Sequence, residues 1–120
     1  MEMSDPQNIR KFEYRPCRIV TGFDIDFVAG GVKLHGLCQD VSDTGIRAAL
    51  DGALSVGSSG LLILRHPTGI LEIEAQVANI EQDQVGLVFV FKTPLERVNS
   101  IEYVASIAAY EAASQVVRFP

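Results

Sequence analysis

Six short segments of the chain are rich in apolar residues, most of them with an apolar residue at every second position, and turn-forming residues separate them. This spacing is typical of a β-strand with one buried face. It predicts strands over residues 23–27, 32–39, 46–50, 61–65, 71–77 and 85–92. Two hairpins are predicted, one turning at residues 29–31 and the other closed by the polar stretch 81–84. Evenly spaced short strands of this kind favour a mainly β fold, a six-stranded antiparallel β-barrel.

The sequence also predicts which side chains lie on the outer faces of these strands. Asp24 and Asp26 alternate with apolar residues, as do Glu72 and Glu74, so both carboxylate pairs are predicted to lie on outward faces. The last segment, 85–92, is apolar on both faces, which is typical of a central strand.

After Pro94 the pattern becomes helical. Thr93 is predicted to be the N-cap, with Pro94 at the first helical position and Glu96 completing a capping box. The predicted C-terminal α-helix runs from about residue 94 to 114. Apolar residues repeat along it at spacings of three and four, and this stripe is predicted to pack on the end of the barrel. The stripe consists of Leu95, Val98, Ile101, Val104 (or Ala105) and Ala108. Small residues at 107–113 leave a second interpretation open, a homodimer formed through this helix.

The composition limits the function. The chain has 120 residues, of which 48% are hydrophobic, as expected for a single domain with its own core. We predict a flexible tail at residues 1–9 and a single domain over 10–120. A net charge of −5 argues against broad binding to nucleic acid or to an anionic membrane surface. Two cysteines do not form a disulfide framework, and no signal peptide or transmembrane stretch is seen. The expected location is cytoplasmic.

The most distinctive local feature combines an acidic, hydroxylic turn with an arginine cluster about twenty residues upstream. The turn reads Asp-Val-Ser-Asp-Thr-Gly over residues 40–45, and the upstream segment 14–18 reads Tyr-Arg-Pro-Cys-Arg. Four of the ten basic residues lie within nine positions here, namely Arg10, Lys11, Arg15 and Arg18. In an acidic protein, this clustering predicts a local binding site for an anion.

These residues resemble the hallmarks of the PilZ domain, a six-stranded split β-barrel that serves as a receptor for the bacterial second messenger cyclic di-GMP. The family carries [D/N]xSxxG after its second strand, matched here by Asp40, Ser42 and Gly45. It carries RxxxR before its first strand. Here Tyr14 stands at the first arginine position and Arg18 at the second, so the first motif is degenerate. Either Arg15 takes the missing role through a shift in loop register, or Tyr14 stacks on a base.

The resemblance implies a ligand, cyclic di-GMP, and no cofactor. Arg15 and Arg18 are suited to bidentate contacts with phosphate and to stacking on a base, and Arg10 lies close by in sequence. The carboxylate of Asp40 can accept hydrogen bonds from the paired N–H groups of guanine. The hydroxyl of Ser42 can contact the base or the sugar–phosphate. Gly45 would permit a positive φ or a close approach of the backbone to the ligand.

Other kinds of site are less well supported. His35 and Cys38 are three residues apart on a strand, which predicts opposite faces and argues against a metal pair. Cys17 lies beside arginines but has no nearby histidine to act as a base. The prediction is therefore a non-enzymatic receptor or adaptor that binds cyclic di-GMP and relays its level to an effector protein. The alternative is a degenerate PilZ-like interaction module that does not bind nucleotide.

Overall fold

The computed structural model describes residues 18–118, with side chains described as far as residue 114. The predicted tail at 1–9, together with Arg10, Tyr14 and Arg15, lies outside the described residues. The strands are β1 (Ile19–Ala29), β2 (Val32–Ser42), β3 (Gly45–Leu50), β4 (Ser59–His66), β5 (Gly69–Glu81) and β6 (Gln84–Phe89). A single helix, α1 (Pro94–Arg118), follows them and ends four residues beyond the predicted residue 114.

The six strands form a closed antiparallel barrel in the order β1-β2-β3-β6-β5-β4. Pairing of β1 with β4, for example Ile25 with Leu64, closes the sheet on itself. Because the sheet is closed, each of the six described strands has a neighbour on both sides. The predicted fold class, a six-stranded antiparallel barrel followed by one helix, is confirmed.

Alternation along the strands fills the barrel interior. Phe23, Ile25 and Phe27 of β1 point inward and are at most 5% exposed. On β6, Leu87 points inward while Val88 is 45% exposed. Segment 85–92 is apolar on both faces and β6 has a neighbour on each side, β3 and β5, but Val88 meets solvent because nothing among the described residues covers the outer face of this strand there.

The β1–β2 hairpin turns through two glycines. Ala29 pairs with Val32, so the turn consists of Gly30 and Gly31, whose φ angles are 58° and 79°. Positive φ at both central residues is typical of the type I′ turn, whose twist matches that of the flanking strands. Glycine is the residue that adopts these angles with least strain.

The start of α1 follows the predicted capping pattern. The backbone N–H of Glu96 donates to Oγ1 of Thr93 at 3.1 Å. The carboxylate of Glu96 reaches back to accept from the backbone N–H of Lys92 at 2.7 Å. In the usual capping box the glutamate carboxylate accepts from the backbone N–H of the N-cap residue, which here would be Thr93. In this protein it accepts from the residue before, Lys92, and so also connects the helix start to the segment that leaves β6.

The face of α1 that packs on the barrel differs from the predicted stripe. Val104 and Ile107 are buried, with Ser100 fully buried beside them, whereas Leu95, Val98 and Ile101 are exposed at 66%, 47% and 42%. Hydrogen bonds of one side chain account for this orientation. The hydroxyl of Tyr103 shares its one proton between the carbonyl oxygens of Leu64 and Gly69, at 3.2 and 2.8 Å, and accepts from the backbone N–H of His66.

The second half of α1 is held by a polar contact at the same end of the barrel. Oε2 of Glu111 accepts from the hydroxyl of Thr21 at 2.8 Å and lies 3.3 Å from Nε2 of His66. His66 is buried, and its ring packs edge-on against Phe23 and Tyr110. The helix therefore closes the barrel end and contacts β1 three residues after Arg18.

On the barrel exterior, one carboxylate is covered rather than exposed. Asp26 lies on the outward face of β1, as predicted, yet it is only 6% exposed, so the expectation that this face leaves it in solvent does not hold. Its Oδ1 lies 2.9 Å from Nδ1 of His35, and its Oδ2 accepts from Nη1 of Arg65 at 2.5 Å. Nζ of Lys33 lies 3.8 Å away. Asp26 does point outward, but cationic neighbours on β2 and β4 cover it.

Candidate functional site

The acidic motif forms a tight hairpin rather than a six-residue turn. β2 continues to Ser42, β3 begins at Gly45, and these two residues pair directly, so only Asp43 and Thr44 form the turn. Counting back along the ladder places Asp40 opposite Arg47. The predicted carboxylate therefore lies on a strand, where the sheet fixes its position.

Asp40 lies between two arginines. Nε of Arg18 donates to Oδ1 at 2.6 Å, and Nε of Arg47 lies 3.2 Å from Oδ2. The Asp40 side chain is 16% exposed, whereas those of Arg18 and Arg47 are 33% and 44% exposed. The carboxylate thus holds two guanidinium groups beside each other while both remain open to solvent, which is what recognition of an anion requires.

The hydroxyl of Ser42 is buried within the hairpin. It accepts from Nη1 of Arg18 at 3.4 Å and from the backbone N–H of Thr44 at 3.3 Å. It also lies 3.1 Å from Oγ1 of Thr44 and can donate to the carbonyl of Gly45. Ser42 therefore fixes both the turn and the orientation of Arg18. A direct contact with ligand stays a prediction.

Gly45 is required for close packing of two strands. Positive φ occurs at four glycines among the described residues, and Gly45 is not one of them. The expectation of a positive φ is therefore wrong, because Gly45 lies in the extended ladder between β2 and β6. A Cβ at this position would collide with the backbone carbonyl of Leu87. The absence of a side chain at Gly45 therefore allows β3 to lie close to β6.

A surface cleft of about 240 Å³ adjoins the two arginines. It runs over the outer face of β3, β6 and β5, and its polar lining comes from Arg18, Thr44, Arg47, Asn79 and Glu81. A register shift in the β5–β6 ladder between Val77 and Asn79 brings this part of β5 to the cleft. Gly86 forms part of the cleft wall, where a side chain would displace the amide of Asn79.

The described residues give no support to a metal site or a reactive thiol. No cluster of three metal-ligating side chains occurs among them. Cys38 is fully buried, and burial, together with the nearby Asp40 carboxylate, raises the pKa of its thiol to about 12. His35 on the same strand is 58% exposed at its side chain, so the two residues face opposite sides as predicted. No helix in this part of the chain has the length and apolar character that a membrane span requires.

Comparison with known proteins identifies the family and the fold. The model of the PilZ domain family matches residues 8–106. The chain belongs to the PilZ domain family. PilZ domains are a family of cyclic di-GMP receptors and are generally non-catalytic. No curated protein matches the sequence.

Solved PilZ structures share the barrel at low sequence identity. The PilZ domain of YcgR from Escherichia coli, solved with cyclic di-GMP, matches with a TM-score of 0.66 at 17% identity, covering 83% of this chain and 96% of that one. YcgR in complex with cyclic di-GMP gives 0.69 at 19% identity, covering 85% and 50%. The PilZ domain of CeSA from a cellulose-synthesizing bacterium gives 0.66 at 14% identity, covering 77% and 98%. At these identities the likeness establishes the fold.

Of the seven residues predicted for the PilZ site, four are described and lie together. These are Arg18, Asp40, Ser42 and Gly45, at the start of β1 and in the β2–β3 hairpin. Sequence reasoning missed Arg47. The signal was available, because a two-residue turn between Ser42 and Gly45 places position 47 opposite position 40. Reading residues 40–45 as one continuous turn concealed that register.

Proposed function

We propose that this PilZ domain is a cytoplasmic, non-enzymatic receptor that binds cyclic di-GMP over the β2–β3 hairpin and relays the nucleotide level to an effector protein. The observation that carries the proposal is the cluster of Arg18, Asp40 and Arg47 beside an open cleft. A cyclic dinucleotide presents two phosphates and two guanines, and the cluster offers groups complementary to both.

The arginines supply the phosphate contacts. A guanidinium carries five N–H donors. Arg18 directs Nε to Asp40 and Nη1 to Ser42, and Arg47 directs Nε to Asp40, so each has further donors for phosphate oxygens. Charge-assisted contacts of this type contribute about 1.5–3 kcal/mol each. Loss of one therefore weakens binding by roughly 10- to 150-fold.

Asp40 supplies the selectivity for guanine. An ionised carboxylate offers about four lone-pair sites. Two of them receive Arg18 and Arg47, which leaves acceptor capacity on each oxygen for the N–H groups of a guanine edge. Adenine has no such pair of N–H groups, so the same carboxylate discriminates against it. Ser42 and Gly45 act in this proposal mainly by fixing the hairpin that holds Asp40 in place.

The N-terminal arginine segment completes the site. A cleft of about 240 Å³ is below the roughly 300–1,000 Å³ typical of sites that enclose a small molecule. Arg15 is three residues before Arg18, so its Cα lies within about 11 Å of that of Arg18. Two residues upstream of Arg15 are further candidates. Arg10 would contact phosphate, and Tyr14 would stack on a base. In this proposal the segment closes over the nucleotide and thereby changes the surface offered to the effector.

Isothermal titration calorimetry tests the proposal with cyclic di-GMP as ligand and cyclic di-AMP as control. We expect guanine-selective binding by the wild type that is lost in both Arg18→Ala and Asp40→Ala. Circular dichroism establishes that each variant is folded. Absence of heat from a folded wild-type protein, or equal binding of the two nucleotides, would contradict the receptor function.

A second candidate function is a PilZ-like interaction module that does not depend on nucleotide. It is favoured by Tyr14 at the first arginine position and by the exposed apolar residues of α1. This function predicts a protein partner that binds equally well with and without cyclic di-GMP. Pull-down experiments in the presence and absence of the nucleotide distinguish it from the receptor.

A further inference from the structure

Beside its barrel-packing face, α1 carries a stripe of exposed apolar residues. Val104 and Ile107 pack on the barrel, yet Leu95, Val98 and Ile101 on other faces are exposed at 66%, 47% and 42%. Ala105 and Ala112 are also exposed. A surface helix normally presents charged and polar residues to solvent, and a continuous exposed apolar stripe marks a surface for contact with another element or molecule.

Apolar residues on this side of α1 follow a heptad repeat. From Val98 they recur at spacings of three, four, three and four, as Val98, Ile101, Ala105, Ala108 and Ala112, of which Ala108 is half-buried and the others are exposed. This alternation has the 3.5-residue period by which two α-helices pack along a continuous seam. The three alanines allow the helix backbones to approach closely. This seam lies on a different side of α1 from the barrel-facing residues, so both contacts can exist together.

Charges beside the seam select the partner and its direction. With Val98 at position a and Ile101 at position d, Arg97 occupies position g and Glu102 position e. In parallel two-stranded coiled coils, a g residue pairs with the e residue five positions further on in the other helix. Arg97 and Glu102 have this separation and opposite charges. Among the described side chains neither takes part in an ion pair.

We propose that α1 pairs in parallel with α1 of a second copy of this chain, along the seam from Val98 to Ala112. A twofold axis along the helices makes two Arg97–Glu102 pairs, one on each side of the seam. An antiparallel arrangement would instead bring position g next to position g and place like charges together. Because Arg97 of each copy then faces Glu102 of the other, the partner that fits this surface is a second copy of the same chain.

The proposed dimer places a second subunit close to the nucleotide motif without depending on nucleotide binding. Ile101 and Arg97 line a cleft of about 170 Å³ together with Asp43 and Thr44 of the β2–β3 turn. The partner helix would lie beside this cleft. Because the seam residues all belong to α1, failure of nucleotide binding would leave the dimer proposal unaffected.

Sedimentation velocity of the full chain tests the proposal. We expect twice the monomer mass of 13.1 kDa for the wild type. Ile101→Glu introduces a charge into the seam at an exposed position and should give a folded monomer. The matched control, Ile70→Glu, alters a residue that is 65% exposed on β5 and should remain dimeric. A monomeric wild type, a higher oligomer, or dissociation by the control alone would overturn the proposal.

Charge reversal tests the parallel direction. Arg97→Glu and Glu102→Arg should each raise the dimer dissociation constant, on the order of tenfold. The double variant restores opposite charges in the parallel register and should recover affinity close to the wild type. Loss of affinity in the double variant equal to or greater than that of the single variants would contradict parallel pairing.

Discussion

Arg47 lies directly opposite Asp40 in the β2–β3 ladder, with its Nε 3.2 Å from Oδ2 of the carboxylate. Nε of Arg18 donates to the other carboxylate oxygen, Oδ1, at 2.6 Å. One carboxylate thus holds together two arginines that are far apart in sequence. This relationship makes Arg47 a third member of the proposed site, beside the motif residues Arg18 and Asp40.

Replacing Arg47 should weaken nucleotide binding while the fold is kept. We expect Arg47→Ala to lower the affinity for cyclic di-GMP by roughly 10- to 150-fold, because one charge-assisted contact is lost. Calorimetric titration measures the effect. Lys33→Ala is the matched control, since it removes one exposed cation beside Asp26, on another part of the barrel surface. Equal affinities for Arg47→Ala and the wild type would exclude Arg47 from the site.

Gly45 should be intolerant of a side chain for structural reasons. In Gly45→Ala, the added methyl group meets the carbonyl of Leu87 and forces β3 away from β6. We expect a loss of about 1–3 kcal/mol in the free energy of unfolding, measured by urea denaturation. Gly22→Ala is the control, because a Cβ there meets no atom within 4 Å. If both variants were equally stable, close strand packing would not explain the glycine.

Tyr103 should anchor α1 to the barrel through its hydroxyl. Tyr103→Phe leaves the carbonyls of Leu64 and Gly69 without this donor, and the predicted loss is about 1–3 kcal/mol in unfolding free energy. Tyr110→Phe keeps the ring contact with His66 at 4.9 Å and should change the stability little. A larger loss in Tyr110→Phe than in Tyr103→Phe would contradict this assignment.

The Asp26–His35 contact predicts a pH dependence of stability. The hydrogen bond to Asp26 raises the pKa of His35 above its ordinary 6.5. Hydrogen bonds from His35 and Arg65 lower the pKa of Asp26 below 3.8. The histidine contribution is therefore full below pH 6.5 and is lost as the pH rises through the folded-state pKa. The aspartate contribution is present above pH 3.8 and is lost as the pH falls through its folded-state pKa.

Urea unfolding of the wild type and His35→Gln at about pH 5.5 and about pH 8.5 measures this contribution. The difference in stability between the two proteins should be larger at the lower pH. In an Asp26→Asn background that pH dependence should disappear. A difference that is the same at both pH values would show that the contact does not depend on protonation of His35.

Alternation and turn residues were sufficient to predict the barrel, because each strand has one face in the core. The same rule failed for Asp26, which points outward but is covered by Lys33, His35 and Arg65. Burial of a polar group on an outer face depends on neighbouring strands, and the segment sequence alone does not contain that information.

The helix shows a second limit of sequence reasoning. Its existence and start followed from capping and periodicity, yet the apolar stripe through Leu95, Val98 and Ile101 is exposed. Hydrophobic periodicity finds an apolar face but does not say what covers it. Hydrogen bonds from Tyr103 to the strand ends decide which face meets the barrel. Only the tertiary contact contains that information.

The most direct test of the central claim is a titration of isotope-labelled protein with cyclic di-GMP, followed by amide chemical shifts. We predict that the largest changes occur at Arg18 and over residues 40–47, and that residues 8–17 are also affected as the arginine segment closes. No shift from a folded protein, or shifts confined to surfaces away from the β2–β3 hairpin, would contradict it.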